Sequence, residues 1–84
     1  LELIPTTARR ILDIGCGGGR LGAAIKARQP AEVVGIEVSP PAADRARKRL
    51  DEVRVGNIEA DEIEFPDGRF DCIVCADVLE HLRS

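Results

Sequence analysis

The chain has 84 residues, of which 44% are apolar and 32% are charged, and this length allows a single domain. The formal net charge of -3, with two Phe and no Trp or Tyr, provides neither the basic footprint nor the stacking platforms of a nucleic-acid-binding protein. No apolar run approaches the ~20 residues that a membrane-spanning helix needs, so we expect neither nucleic-acid nor membrane partners.

Three cysteines make an odd count without a disulfide framework, which suits a reducing cytoplasm. Cys72 and Cys75 form a C-x-x-C pattern, but they lie in an apolar stretch typical of a strand, where residues three apart point to opposite faces. No second pair completes a zinc site, so buried thiols are the better interpretation and no metal is predicted. The chain begins at Leu1 in mid-pattern, and we expect it to be a piece of a longer protein.

Apolar runs and helical patterns alternate along the first half of the chain. Residues 10–15 (RILDIG) form a short β-branched run that ends in glycine, which predicts a buried strand. A helical pattern over 21–28 is stopped by Pro30, and residues 32–37 (EVVGIE) predict a second strand. Ser39 precedes two prolines and predicts the start of a helix that runs to about residue 50, because proline is tolerated in the first helical turn.

The second half continues the alternation, and the basic residues of 45–49 are interpreted as a solvated helix face. Residues 53–56 predict a short third strand, and 57–68 form a polar, acidic connection that ends in a turn. Residues 69–76 (RFDCIVCA) predict the fourth strand, after which Asp77 is a candidate cap for a last helix through residue 83. This order predicts an α/β fold with a parallel sheet and helices on both faces.

A glycine-rich loop, DIGCGGG at residues 13–19, closes the first predicted strand and opens the first helix. Glycines at alternate positions permit positive φ and let a ligand approach the backbone closely. The helix start behind them offers free N–H groups that favour a carboxylate or a phosphate. Ligands in such folds bind outside the carboxyl ends of the strands, so the loop predicts a binding site at that edge.

The pattern Asp-x-Gly-x-Gly-x-Gly at a strand end resembles motif I of the class I S-adenosylmethionine-dependent methyltransferases. The resemblance implies a three-layer Rossmann-like fold and S-adenosylmethionine as cofactor. It also implies that the loop wraps the methionine moiety, with Asp13 near its amino group. The loop residues expected at the cofactor are Asp13, Gly15, Cys16, Gly17 and Gly19.

Two further segments are expected at the adenosine part of the cofactor. Glu37 ends the second strand about 20 residues after the glycine loop, where a carboxylate can accept hydrogen bonds from both ribose hydroxyls. Val38 resembles the family position beside the ribose and adenine. Asn57 and Ile58 resemble the segment that meets adenine, although Asn57 replaces the usual Asp and provides an uncharged, weaker acceptor.

The fourth-strand segment 65–74 and the helix segment 78–82 also resemble the family, so that the resemblance covers most of residues 11–82. It implies that Cys75 borders the cofactor near the point of methyl transfer. His81 is the only histidine, and a helix-surface role is favoured over one as a base. No fixed set of catalytic residues is required, because methyl transfer depends mainly on holding donor and acceptor in line.

Two other functions stay open from the residues alone. Residues 17–22 satisfy the dinucleotide pattern G-x-G-x-x-G literally, but counting from Gly15, where the strand ends, places Arg20 at the third glycine position. An NAD(P)-dependent oxidoreductase is therefore disfavoured. The other alternative is a module that binds an adenosine cofactor without catalysis.

The family's full domain has about seven strands in the order 3-2-1-4-5-7-6, so residues 1–84 are expected to be a partial cofactor-binding domain with the order 3-2-1-4. We expect this piece to bind cofactor weakly and to transfer methyl groups slowly or not at all by itself, and we expect a small molecule as the acceptor of the parent enzyme. An exposed fourth-strand edge predicts homodimer formation through that strand.

Overall fold

The computed structural model describes residues 3–61 and 63–75 of the chain. Strands and helices alternate as the apolar pattern predicts. The described elements are β1 (Arg10–Ile14), α1 (Arg20–Arg28), β2 (Glu32–Glu37), α2 (Pro40–Arg47), β3 (Glu52–Val55) and β4 (Cys72–Cys75). Neither helix is long and apolar enough to cross a bilayer, as far as the described residues extend.

The four strands form one sheet in the order β3-β2-β1-β4, and every neighbouring pair is parallel. In the register of the sheet, Ile14 lies between Ile36 of β2 and Cys75 of β4. The carboxyl ends of the strands therefore meet at one edge, where the glycine loop leaves β1. The predicted α/β fold with strand order 3-2-1-4 is confirmed.

One face of the sheet packs against both helices. Ile11 and Val33 point to this face from adjacent strands and belong to the same buried cluster as Ile25 of α1 and Ala43 and Ala46 of α2. Two successive crossovers of the same hand in the same direction place their helices on one side of a parallel sheet. Helices were predicted on both faces of the sheet, but in the described residues α1 and α2 share this one face. This helix face contains the larger part of the apolar core.

The opposite face is covered by the segment between β3 and β4. Its side chains pack on Leu12, Val34 and Ile36, and they come from Ile58, Ile63, Phe65 and Phe70. The two phenylalanine rings meet edge to face, with centroids 4.9 Å apart. The connection expected to be polar thus contains the apolar side chains that bury the second face. The predicted last helix, with Asp77 and His81, lies outside the described residues.

The second helix ends earlier than predicted. Its regular part stops at Arg47 instead of near residue 50, although the N–H groups of Arg49 and Leu50 still donate to the carbonyl of Ala46, at 2.9 and 2.8 Å. The chain thus leaves the helix through a tight turn that buries Leu50 in the core.

The fourth strand begins later than predicted, at Cys72 instead of residue 69. The N–H of Arg69 closes a turn onto the carbonyl of Pro66 at 3.1 Å, so this residue is not available for the sheet. Cys72 packs against the helix-face core, and strand alternation directs Cys75 to the opposite face. The two thiols of the C-x-x-C pattern are free and lie on opposite sides of the sheet.

Candidate functional site

The glycine loop folds back over the end of β2. The N–H groups of Gly15 and Cys16 both donate to the carbonyl of Ile36, at 2.8 and 3.0 Å. Gly15, Gly17 and Gly19 have φ values of 73°, 56° and 85°, in the left-handed region that side chains disfavour. Glycine at these alternate positions is therefore a requirement of the turn from β1 into α1.

Glu37 fixes this loop from the end of β2. One carboxylate oxygen, Oε1, accepts the N–H of Gly17 at 2.8 Å, and Oε2 accepts the N–H of Ser39 at 3.0 Å. The half-buried carboxylate thus joins the glycine loop to the start of α2. Each oxygen keeps a further lone pair, so both can still accept a hydrogen bond from a ligand hydroxyl.

A cleft of about 290 Å³ opens at the carboxyl ends of β1, β2 and β3. Its lining consists of Ile14, Gly15, Ile36, Glu37, Val38, Gly56, Asn57, Ile58 and Glu59. The cleft therefore brings together five predicted site residues, namely Gly15, Glu37, Val38, Asn57 and Ile58. In the part of the chain that the structure describes, its lining includes two carboxylates and neither lysine nor arginine.

Four lining residues were not predicted. Ile14 is the last residue of β1 and Ile36 is the last but one of β2, so the rule that ligands meet the carboxyl ends of parallel strands was a usable signal for them. Gly56 has a φ of 152°, and an added Cβ would lie 3.0 Å from Asp61 Oδ2. Glu59 lies in the acidic connection, where nothing in the sequence distinguishes it from its acidic neighbours.

Asn57 shapes the turn that closes the cleft. Its backbone N–H donates to Asp61 Oδ2 at 2.7 Å, and its side-chain Oδ1 accepts the N–H of Glu59 at 2.9 Å. Such bonds are typical of Asn in turns. The oxygen predicted to accept from adenine thus already accepts one backbone hydrogen bond, and its second lone pair is what remains for a ligand.

Asp13 lies beneath the glycine loop and is 1% exposed. Neither of its oxygens has a hydrogen-bond partner among the described residues. Burial, and then the nearby charge of Glu37, raise its pKa from 3.8 to about 6. A buried carboxylate without a partner is unfavourable, so this position suits a ligand that provides a cation or a hydrogen-bond donor.

Several predicted site residues do not line the cleft. The Cys16 side chain is buried toward Gly35 on the helix face, and burial, followed by the charges of Asp13 and Glu37, raises its pKa to about 11. Gly19 packs against α2, where an added Cβ would lie 3.1 Å from the Cα of Ala46. The others outside the lining are Asp13, Gly17 and Cys75. Of these residues, Gly17 contacts the site through its bond to Glu37.

Comparisons with known proteins identify the family of this chain. A family described as "Methyltransferase domain" matches residues 11–84. The chain is 43% identical over 79 residues to a ubiquinone biosynthesis O-methyltransferase of Alkalilimnicola ehrlichii, a match that covers 88% of this chain and 32% of the relative. It is 41% identical over 73 residues to a demethylmenaquinone methyltransferase of Thermus thermophilus, covering 81% and 33%.

Solved structures show the same similarity. A TehB-like SAM-dependent methyltransferase from Corynebacterium glutamicum superposes with a TM-score of 0.70 at 34% identity, over 95% of this chain and 43% of that chain. The plantazolicin methyltransferase BpumL, in complex with a pentazolic desmethylPZN analog and SAH, gives 0.68 at 30% identity, over 80% and 26%.

The chain spans about one third of the length of these curated relatives. The family match nevertheless covers residues 11–84, a range that includes the glycine loop and Glu37. The chain belongs to the class I S-adenosylmethionine-dependent methyltransferases.

Proposed function

We propose that this chain is the cofactor-binding part of an enzyme that transfers a methyl group from S-adenosylmethionine to a small molecule. We further propose that residues 1–84 form a partial domain of that enzyme. The observation that supports the proposal most directly is the Glu37 carboxylate, held between the N–H groups of Gly17 and Ser39 at the edge of the cleft. The bound cofactor supplies a methyl group already activated on a sulfonium.

The adenosine part of the cofactor fits the cleft. Glu37 accepts hydrogen bonds from the two ribose hydroxyls, while Val38 and Ile58 provide apolar contact for adenine and Asn57 provides a polar one. Gly15 permits close approach of the ligand to the loop backbone.

The methionine part of the cofactor lies along the glycine loop in this proposal. Its amino group compensates the buried, unpartnered carboxylate of Asp13, and its carboxylate faces the N–H groups at the start of α1. The site's own contribution to the reaction is to hold the donor methyl group in position for an acceptor.

The charges around the cleft favour this cofactor over a dinucleotide. Glu37 and Glu59 line the cleft and Asp13 lies beneath the loop, whereas no basic side chain lines the cleft in the described part of the chain. Carboxylates attract the sulfonium and ammonium groups of S-adenosylmethionine and repel the pyrophosphate of NAD.

A small-molecule acceptor is supported by the names of two curated relatives, which refer to ubiquinone biosynthesis and to demethylmenaquinone. The absence of nucleic-acid and membrane partners, and a cytoplasmic location, stay predictions from composition and from the three free thiols. Slow or absent methyl transfer by the chain alone also stays a prediction.

Homodimer formation through β4 likewise stays a prediction. Among the described residues β4 pairs only with β1, and its Ile73 is 64% exposed. We expect dimers in light scattering and a shift toward monomer in Ile73→Lys, because a charge on an edge strand opposes pairing. A wild-type chain that stays monomeric at high concentration contradicts this prediction.

Isothermal titration with S-adenosylhomocysteine, and in parallel with NAD, tests the cofactor assignment. We expect S-adenosylhomocysteine alone to bind and Glu37→Ala to weaken it at least tenfold, since the substitution removes two ligand acceptors and a loop contact. Glu64→Ala is the matched control, because it removes the same charge from an exposed residue outside the cleft. Binding of NAD alone, or an equal loss in the two variants, contradicts the proposal.

A further inference from the structure

The glycine loop has a second fixed point, provided by the residues that follow α2. The guanidinium of Arg49 donates from Nη1 to the carbonyl of Gly18 at 2.7 Å. An added Cβ at Gly18 would lie 3.3 Å from the same Nη1 and 3.5 Å from the Nε of Arg45. Arg45 and Arg49 of the basic stretch 45–49 therefore pack on the loop, in addition to forming a solvated helix face.

Two successive residues of the loop are thus held from different sides. The N–H of Gly17 is bound to Glu37 at the end of β2, and the carbonyl of Gly18 is bound to Arg49 after α2. The planar peptide group between Gly17 and Gly18 therefore lies between two peptide groups that are hydrogen-bonded, which restricts its rotation about the flanking backbone bonds. Loss of Arg49 removes the contact on the α1 side of the Gly17–Gly18 peptide and leaves the contact between Glu37 and Gly17 in place.

We propose that Arg49 is a positioning residue that holds the glycine loop in the conformation that binds the amino-acid part of the cofactor. The inference rests on the proposed function, in which the loop contacts the methionine moiety and the cleft contacts adenosine. Arg49 does not line the cleft. Loss of the Arg49 side chain lowers the affinity for ligands that have the amino-acid part and leaves the affinity for ligands without that part unchanged.

The chain provides its own control for the charge of Arg49. Arg45 is also an exposed arginine beside Gly18, and its guanidinium has no hydrogen bond or ion pair among the described residues. Arg45→Ala and Arg49→Ala therefore remove the same charge from the same neighbourhood. Only the second removes a hydrogen bond to the loop, and hydrogen bonds from a charged donor are the stronger ones.

The test measures the affinity of S-adenosylhomocysteine and of 5′-methylthioadenosine for the wild-type chain and both variants. These ligands share the thioadenosine group, and only the first has the amino-acid part. We expect Arg49→Ala to lower the affinity for S-adenosylhomocysteine about three- to tenfold, in line with the loss of one exposed charge-assisted hydrogen bond. We expect its affinity for methylthioadenosine to stay within about twofold of the wild-type value. We expect Arg45→Ala to change neither affinity more than twofold.

Three results overturn the inference while leaving the proposed function intact. They are an unchanged affinity of Arg49→Ala for S-adenosylhomocysteine, an equal loss for both ligands, and an equal effect of the two arginine substitutions. The second indicates a general structural role, and the third indicates long-range electrostatics in place of the hydrogen bond. If the wild-type chain binds neither ligand, the proposed function fails and the inference fails with it.

Discussion

Asp13 allows the stability of the chain to be predicted as a function of pH. Its carboxylate is buried without a partner, and its pKa is raised from 3.8 to about 6. Between these two pH values the folded state binds more protons at this site than the unfolded state. The free energy of unfolding therefore falls as the pH rises through this window, and the full penalty is present above pH 6.

The magnitude follows from the displacement of the pKa of Asp13, which is about two pH units. Each pH unit corresponds to about 1.4 kcal/mol, so ionisation of Asp13 lowers the free energy of unfolding by about 3 kcal/mol. Asp13→Asn has no such titration. Relative to this variant, the wild-type chain should gain about 3 kcal/mol when the pH is lowered from 7.5 to below 4. A constant cost of burying the amide cancels in this comparison.

Urea unfolding of both proteins at several pH values between 3.5 and 7.5 measures the effect. Asp67→Asn, which makes the same chemical change at an exposed residue, corrects for the general effect of a lost carboxylate. A difference between wild type and Asp13→Asn that stays constant over this range refutes the reasoning. It means that the folded chain holds Asp13 ionised without penalty, through a contact that the described residues do not provide.

Two further predictions concern stability. Gly35→Ala should lower the free energy of unfolding by about 1–3 kcal/mol, because the added Cβ would lie 2.6 Å from the buried Sγ of Cys16, and overpacking of this kind costs about that much; an unchanged urea midpoint contradicts this. Asp71→Ala should lower the melting temperature at pH 7, since the carboxylate accepts the N–H groups of Arg9 and Arg10 at 3.0 and 3.1 Å, which lowers its pKa. That contribution is present above pH 3.8 and is lost as the pH falls through the lowered pKa of Asp71, so a melting difference that does not shrink as the pH falls below 3.8 argues against it.

Much of the fold could be predicted because β1 and β2 are largely apolar runs, with Gly15 after the first and Pro30 before the second. The start of β4 could not, since Phe70 reads as a strand residue and yet packs on the second face of the sheet. Asp71, which follows it, directs its carboxylate to the backbone of Arg9 and Arg10. Contacts between residues about 60 positions apart leave no periodic signal in a single sequence.

Some residues and contacts of the candidate site could likewise be predicted from the sequence, and others could not. Gly15 and Glu37 could be predicted because the strand ends and the glycine pattern locate them in the chain. The contact between Arg49 and Gly18 could not, because a basic residue at a helix end has the same pattern whether it meets solvent or a distant loop. The bond between Asn57 Oδ1 and the N–H of Glu59 depends on local turn geometry that the residue type alone permits but does not require.

The floor of the cleft and the second apolar cluster share three residues, Ile14, Ile36 and Ile58. The cleft is therefore the open end of a hydrophobic core in a chain that has two phenylalanines and no tryptophan or tyrosine. In the proposed function, the adenine ring packs on these three isoleucines and covers the open end of the core. It thereby adds an aromatic group to a core that has few of them. The bound cofactor then stabilises the fold as well as taking part in the reaction. At a free cofactor concentration of a hundred times its dissociation constant, it adds about 2.7 kcal/mol to the free energy of unfolding.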